Sequence, residues 1–349
     1  MKTIRVNAST PYDIIIENGL LDSCGELCAK TVGARRVCIV SDDTVAALYL
    51  ERAKCSLSSC GFDVLDYVFL HGESSKNTKT LIDILEFLAE NRLSRTDCLI
   101  ALGGGVVGDV CGFAASVYMR GIKFIQIPTT LLACVDSSVG GKTAVDLAAG
   151  KNLMGTFHQP SLVIVDPLLL NTLTPEIFAD GCAEVIKYGV INDKAFFNSL
   201  FDGIKPQIEN VIAVCVTNKA KLVEEDEFDN GARQLLNLGH TIGHAIELRS
   251  NFEISHGSAV AIGMVIVTKM AISLGICPPQ DLESLCNLIS ATGLPTSCKF
   301  SARELASVAT ADKKRRGQSI TLVLPHGIGN SQLYTIDVSE LESYIQKGL

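Results

Sequence analysis

No C-x-x-C pair occurs in the 349 residues, although thirteen of them are cysteine. Without one, neither a thiol redox pair nor a thiolate zinc site is signalled. The scattered cysteines read instead as small buried apolar residues in a reducing cytoplasm. Basic charge is not in excess either. The net charge is -8 and the Lys and Arg residues are dispersed, which argues against nucleic acid or an anionic membrane as the main partner. No uninterrupted apolar core follows the charges of Met1-Lys-Thr-Ile-Arg-Val-Asn7, so no signal peptide is expected. The longest apolar run, Ala259 to Ile276, carries Lys269 near its middle and is broken by glycines. It reads as a buried helix rather than a membrane span. Internal repeats and low-complexity linkers are missing too.

What is present fits a soluble globular chain long enough for two domains: 47% apolar and 19% charged residues. Strand patterns fall at residues 14–17, 36–41, 64–70, 98–102, 124–127 and 162–166, and helical patterns lie between most of them. That alternation predicts an α/β half over residues 1–172, doubly wound around a mostly parallel sheet. The pattern then changes. Thr174-Pro175-Glu176 reads as a helix start, with Thr as N-cap and Pro in the first turn. Long helical periods follow, at roughly 175–190, 193–202, 206–226, 232–249, 257–274, 279–292 and 302–311. Strand patterns return only at 319–324 and 332–335. Residues 173–349 are therefore expected to be mainly helical.

Only six histidines exist, and His240, His244 and His256 share a 17-residue window. Neutral imidazole is the commonest zinc ligand, so the cluster reads first as a metal site. His240, His244 and Glu247 stand at i, i+4 and i+7 of a helical pattern. Spacing alone nominates the first two as ligands, with Glu247 or His256 third. No Glu follows His240, which argues against a metalloprotease of the H-E-x-x-H type. Glu184 and Lys187, three apart, read on spacing alone as a surface ion pair.

Gly103-Gly104-Gly105-Val-Val-Gly108 follows a strand pattern and precedes a helical one. Such a turn lets a backbone approach a pyrophosphate at a helix N-terminus. No acid lies about 20 residues later, as the usual fingerprint requires. Asp42, at the end of an earlier strand pattern, can take that place. Pro128-Thr129-Thr130 ends another strand at the same sheet edge. Asp136-Ser-Ser-Val-Gly140-Gly141-Lys142-Thr143 ends like a P-loop but lacks its first glycine. With Lys151-Asn152 these cations suggest a phosphorylated or carboxylated substrate. Asp312-Lys-Lys-Arg-Arg-Gly317 alone reads as a solvated turn.

Taken in order, these segments resemble the 3-dehydroquinate synthases of the sugar-phosphate cyclase superfamily. The resemblance runs from about Asp42 to Gly317. It rests on Gly72-Glu73-Ser-Ser-Lys76, the Gly103–Asp109 turn, Tyr118-Met-Arg120-Gly121, Pro128–Leu132, Val135–Thr143 and Gly150–Pro160. It continues through Ala183-Glu-Val-Ile-Lys-Tyr-Gly189, Arg233–Glu247, His256-Gly257 and Asp312-Lys-Lys314.

The resemblance implies an NAD-binding α/β domain and a helical metal- and substrate-binding domain. It implies a zinc- and NAD-dependent lyase of the shikimate pathway, with cobalt as a possible substitute for zinc. Such an enzyme converts 3-deoxy-D-arabino-heptulosonate 7-phosphate to 3-dehydroquinate and phosphate. The steps are transient oxidation by NAD, β-elimination of phosphate, re-reduction, ring opening and aldol closure. By position, the implied zinc ligands are Glu184, His240 and His256, which displaces His244 from the metal toward the substrate phosphate. Implied NAD contacts are Asp42, Glu73, Lys76, Gly104, Gly105, Asp109, Thr129, Thr130 and Thr172, with Lys142 and Lys151 where cofactor meets substrate. Implied substrate contacts are Asp136, Asn152, Lys187, Lys219, Arg233, Asn237, His244 and Lys313 or Lys314. Arg120 would reach a neighbouring subunit's site in a homodimer. One departure stands out: Ser258 occupies the place where the family usually has Glu. Another sugar-phosphate cyclase, a metal-dependent alcohol or glycerol dehydrogenase and a catalytically inactive scaffold remain as other readings.

Overall fold

The computed structural model describes residues 1–311 and 318–349. Contacts divide them into two compact units. One comprises Met1–Leu173 with Ile212–Phe228, and the other Thr174–Val211 with Asp229–Leu349.

The first unit contains β1 (Lys2–Val6), β2 (Tyr12–Ile16), α1 (Cys24–Thr31), β3 (Arg36–Asp42), α2 (Asp43–Ser59), β4 (Asp63–Phe69) and α3 (Thr78–Glu90). It continues with β5 (Cys98–Gly103), α4 (Gly105–Val117), β6 (Lys123–Pro128), β7 (Lys142–Leu147), β8 (Gly150–Phe157) and β9 (Leu162–Val165). Seven strands form one sheet in the order β1-β2-β9-β6-β5-β3-β4, parallel except for the β1–β2 pair.

Both faces of this sheet are covered. Val37, Ile39, Ile100, Leu102, Ile125 and Ile127 pack on one side with Leu50 and Leu57 of α2. Cys38, Val40, Leu99, Ala101 and Phe124 pack on the other with Leu81, Ile84 and Leu88 of α3 and Val110 of α4. Successive strand residues point to opposite faces, so a strand buried on both sides must be apolar throughout. The chain order reverses between β3 and β5. Ligands of open α/β sheets bind beyond the carboxyl ends of strands at such a switch point. Asp42 and Gly103 end the two strands there, and Ser41 Oγ donates 2.8 Å to the Leu102 carbonyl between them.

The second unit contains α5 (Pro175–Asn192), α6 (Lys194–Ser199), the first turn of α7 (Ile208–Glu225), α8 (His240–Arg249), α9 (His256–Ser273), α10 (Pro279–Ala291) and α11 (Ala302–Ala311). The antiparallel hairpin of β10 (Ser319–Pro325) and β11 (Ser331–Asp337) and then α12 (Leu341–Gly348) complete it. Thr174 Oγ1 accepts from the Ile177 amide at 3.4 Å, with Pro175 in the first turn, as the sequence predicts. Helix α9 is long and apolar enough to cross a membrane, but most of it is buried within this unit.

One expectation needs correction, and several elements lay outside what the sequence pattern showed. The helix predicted over 232–249 is broken: a 3-10 turn spans Ala232–Asn237, and Gly239, at φ +75°, separates it from α8. The segment Lys142–Phe157, for which no strand pattern was seen, is the hairpin β7–β8. Strand β1 and helix α12 were not anticipated.

Candidate functional site

Helix α5 carries Glu184 and Lys187, each only 1% exposed. They form an ion pair, but a fully buried one rather than the surface pair that their spacing suggests. Apolar neighbours surround Glu184 along the chain: Cys182, Ala183, Val185, Ile186 and Tyr188 are all buried. A helix apolar on every side is a buried helix, and that was the signal available in the sequence. Burial raises the Glu184 pKa, but the charges of Lys187 and His240 outweigh it and hold the carboxyl well below its usual range.

Two imidazoles face this carboxylate. Nε2 of His240, the first residue of α8, lies 3.4 Å from Glu184 Oε1, and Nε2 of His256, the first residue of α9, lies at the same 3.4 Å. The other nitrogen of each ring is engaged. Nδ1 of His240 is 3.0 Å from the Leu238 carbonyl, and Nδ1 of His256 is 3.2 Å from Glu247 Oε2. Metal-binding histidines are held this way, with the outer nitrogen on a carbonyl or carboxylate.

One ligand atom from each of Glu184, His240 and His256 lies within 4.8 Å of the others. Both Glu184 oxygens are buried without a hydrogen bond of good geometry. A carboxylate and two imidazoles, converging with their outer atoms tied back, fit a zinc-like ion. His244, Glu247 and His256 form a second such group. Neither His240–His244–Glu247 nor His240–His244–His256, the two sets that spacing left open, is among these groups in the described residues.

His244 is exposed. With Asn237, His240 and Thr241 it lines a cavity of about 450 Å³ in the second unit. Arg233, in the preceding 3-10 turn, is 1% exposed. Lys313 and Lys314 lie outside the described residues.

In the first unit, Gly104 caps α4 and leaves the first amides of that helix directed outward from the sheet edge. A Cβ on Gly104 would come 3.1 Å from the Thr130 methyl, so backbone there is close to its neighbours already. Thr129 is 2% exposed and its hydroxyl has no partner among the described residues. Asp42 Oδ1 accepts from the Val45 amide at 2.8 Å and so caps α2. Helix-start amides, an unpartnered hydroxyl and a carboxylate at the switch point suit a dinucleotide.

Beside them, Lys76 Nζ donates to Asp109 Oδ2 at 2.5 Å and to Asn152 Oδ1 at 2.6 Å. Burial lowers the Lys76 pKa, but the charge and hydrogen bond of Asp109 reverse that and leave it raised. Burial raises the Asp109 pKa, and with the charge of Glu73 adding to it the carboxyl stays raised although Lys76 lowers it. Asn152 holds a left-handed backbone, φ +55°, and its amide donates 2.7 Å to Asp146 Oδ1. Asp146, absent from the sequence expectations, ties this hairpin together, and no motif announced it. Lys151 pairs with Glu73 at 3.1 Å, and Lys142 is exposed at the start of β7.

Lys219 of α7 reaches Asp136, with Nζ 2.8 Å from Oδ1 and 2.7 Å from the backbone carbonyl. Asp136 sits in a π-turn, Ala133–Ser137, a conformation frequent at functional sites. Thr172 Oγ1 lies 2.6 Å from the Tyr49 hydroxyl. Arg120 is exposed, with φ +70°.

Family models described as 3-dehydroquinate synthase N-terminal and 3-dehydroquinate synthase C-terminal match residues 66–180 and 181–315. A 3-dehydroquinate synthase of Streptococcus sanguinis (strain SK36) is 45% identical over 345 residues, 97% of each chain. The structure of a 2-deoxy-scyllo-inosose synthase complexed with carbaglucose-6-phosphate, NAD+ and Co2+ superposes with a TM-score of 0.90 at 26% identity over 100% of both chains. A 2-epi-5-epi-valiolone synthase from Streptomyces hygroscopicus subsp. jinggangensis 5008, with NAD+ and Zn2+ bound, gives 0.86 at 27% identity, covering 96% of this chain and 95% of that one.

Proposed function

The chain belongs to the 3-dehydroquinate synthase family, and we propose that it carries out that family's reaction, from 3-deoxy-D-arabino-heptulosonate 7-phosphate to 3-dehydroquinate and phosphate. The observation that carries the reading is the convergence of the buried Glu184 with the half-buried His240 and His256, each imidazole held from behind. These three residues would hold zinc, or cobalt in its place. When bound, the metal and NAD would supply a Lewis acid and a reversible hydride acceptor.

Residues 1–172 form the cofactor-binding part in this reading, and residues 173–349 the metal- and substrate-binding part. Gly104 and Gly105 let a pyrophosphate approach the first amides of α4. Asp42 takes the ribose hydroxyls. Glu73, Lys76, Asp109, Thr129, Thr130 and Thr172 complete the NAD side. Lys142 and Lys151 stand between cofactor and substrate. Asp136, Asn152, Lys187, Lys219, Arg233, Asn237 and His244 bind the heptulosonate, with Lys313 or Lys314.

The cationic members neutralise the phosphate as it leaves, and in a site shielded from water that interaction is strong. His244 holds the phosphate so that one of its own oxygens takes the proton beside the transient ketone. We also assign a homodimeric, cytoplasmic enzyme, with Arg120 reaching the partner's site. The exposure of Arg120 and its left-handed backbone support that role.

The test is incubation of the purified protein with the heptulosonate phosphate, zinc and catalytic NAD. Many equivalents of phosphate and dehydroquinate per NAD, without NADH accumulating, are expected. Accumulating NADH with phosphate retained on the sugar would make the protein a dehydrogenase. No reaction would turn attention to other sugar phosphates, beginning with sedoheptulose 7-phosphate.

A further inference from the structure

The start of α9, where His256 stands, is capped by a side chain from another helix. Its own N-cap residue, Ser255, makes no side-chain cap. The Ser255 hydroxyl instead donates to Asp180 Oδ1 at 2.5 Å and also lies 2.9 Å from the Ser258 hydroxyl. The amides of Gly257 and Ser258 both donate to that same Asp180 oxygen, at 2.7 and 3.2 Å. Asp180 therefore does what an N-cap side chain does, satisfying two orphan donors of the first turn with a charge that suits a helix N-terminus.

Asp180 lies on α5, four residues before Glu184, so the two share a helix face. The backbones also meet there. A Cβ on Gly257 would fall 2.0 Å from the Asp180 carbonyl oxygen and 2.6 Å from its carbon. Glycine is the one residue that lets α9 start this close to α5. Carboxylate clamp and glycine contact fasten the backbone on both sides of His256 to the helix that bears Glu184.

We propose that Asp180 is a positioning residue for the metal centre. By capping α9 from α5 it holds His256 at the right distance from Glu184, without touching metal or substrate itself. This rests on the reading that Glu184, His240 and His256 hold the metal.

The test compares zinc affinity, by competition with a chromophoric chelator, and the visible spectrum of the cobalt-substituted protein. The proteins are wild type, Asp180→Ala, Asp180→Asn and His256→Ala. Asp180→Ala is expected to weaken zinc binding on the order of ten- to a hundredfold, the usual cost of losing an outer-shell partner. It should also alter the cobalt bands. Asp180→Asn keeps an acceptor oxygen for both amides and should restore most of the affinity and the wild-type spectrum. Asp180→Ala with wild-type affinity and spectrum, and only a lowered melting temperature without metal, would reduce Asp180 to a structural cap and overturn the proposal. If Asp180→Ala does not fold, Asp180→Asn and Ser255→Ala decide: a spectrum changed by Ser255→Ala but kept by Asp180→Asn supports the clamp. Unchanged affinity and spectrum in Ser255→Ala, with both lost in Asp180→Asn, overturns it, because charge rather than the cap would then be what matters. Undiminished zinc binding by His256→Ala would sink the ligand assignment itself, a failure distinct from that of the clamp.

Discussion

Nδ1 of His256 lies 3.2 Å from Oε2 of Glu247, a carboxylate that is 4% exposed on the neighbouring helix α8. The bond directs the opposite nitrogen of the ring at Glu184 and strengthens the ring as a ligand. Replacing Glu247 by Ala should lower zinc affinity on the order of tenfold or more. Gln, which keeps an oxygen acceptor, should lower it less. Chelator competition measures both, and equal affinity in all three proteins would remove Glu247 from the metal centre.

Protons should compete with metal at His256. Burial alone lowers its pKa, but hydrogen bonds to Glu184 and Glu247 and their charges raise it to about 10. Below that value the metal-free ring carries a proton that an incoming ion must displace. Affinity for zinc should therefore rise with pH across the neutral range, and binding should release protons. Calorimetry in buffers of different ionisation heat measures that release. The same shift sets the stability of the metal-free protein. The folded value lies above the unfolded value of about 6.5. The stabilisation is thus complete below about 6.5 and is lost as pH rises through about 10.

Asp109→Ala should destabilise the cofactor-free protein. It would leave Lys76, 6% exposed, without its carboxylate and with only the Asn152 amide oxygen. Breaking a buried pair on one side costs on the order of 3 kcal/mol. Replacing both residues by apolar ones of similar size should cost less. Urea unfolding of the single and double variants reads the difference.

Gly239→Ala should disturb His240. Residue 239 has φ +75°, and a Cβ there would meet the Val260 carbonyl oxygen at 2.7 Å. Left-handed backbone and overpacking together cost on the order of 2 kcal/mol or more. Lower melting temperature and weaker zinc binding should appear together. A variant with wild-type values for both would show that the turn before α8 is tolerant.

His244→Ala should retain zinc and lose turnover. His244 is exposed on α8 and lies outside the group formed by Glu184, His240 and His256. Metal analysis after gel filtration should give wild-type zinc content, with phosphate release greatly slowed. Zinc lost as fully as in His240→Ala would make His244 a ligand.

Much of the first unit could be read from local pattern. Strands β3 and β5 were expected at residues 36–41 and 98–102 and lie at Arg36–Asp42 and Cys98–Gly103. Continuous apolar runs ending in Asp or Gly leave little choice there. The hairpin β7–β8 was missed for an equally physical reason. Most of β8 is exposed, so it lacks the apolar alternation that marks a half-buried strand, and a register shift between Val145 and Leu147 interrupts its partner.

By itself the sequence determined the alternating α/β half, the glycine turn at a strand's carboxyl end and the shared helix side of His240 and His244. Each depends on residues a few positions apart, whose periods of 2 and 3.6 are set by local backbone geometry. Only the tertiary structure decided which carboxylate meets which imidazole. Glu184 and Lys187 have the same spacing whether their helix is exposed or buried. Glu184 meets His240 and His256 because α5, α8 and α9 pack closely. That packing depends on contacts between distant backbones: Gly257 against Asp180, and Gly263, whose Cβ would fall 2.1 Å from the Gly239 oxygen. No local periodicity encodes such a contact, because its partners lie far apart in the chain and meet only when the core closes.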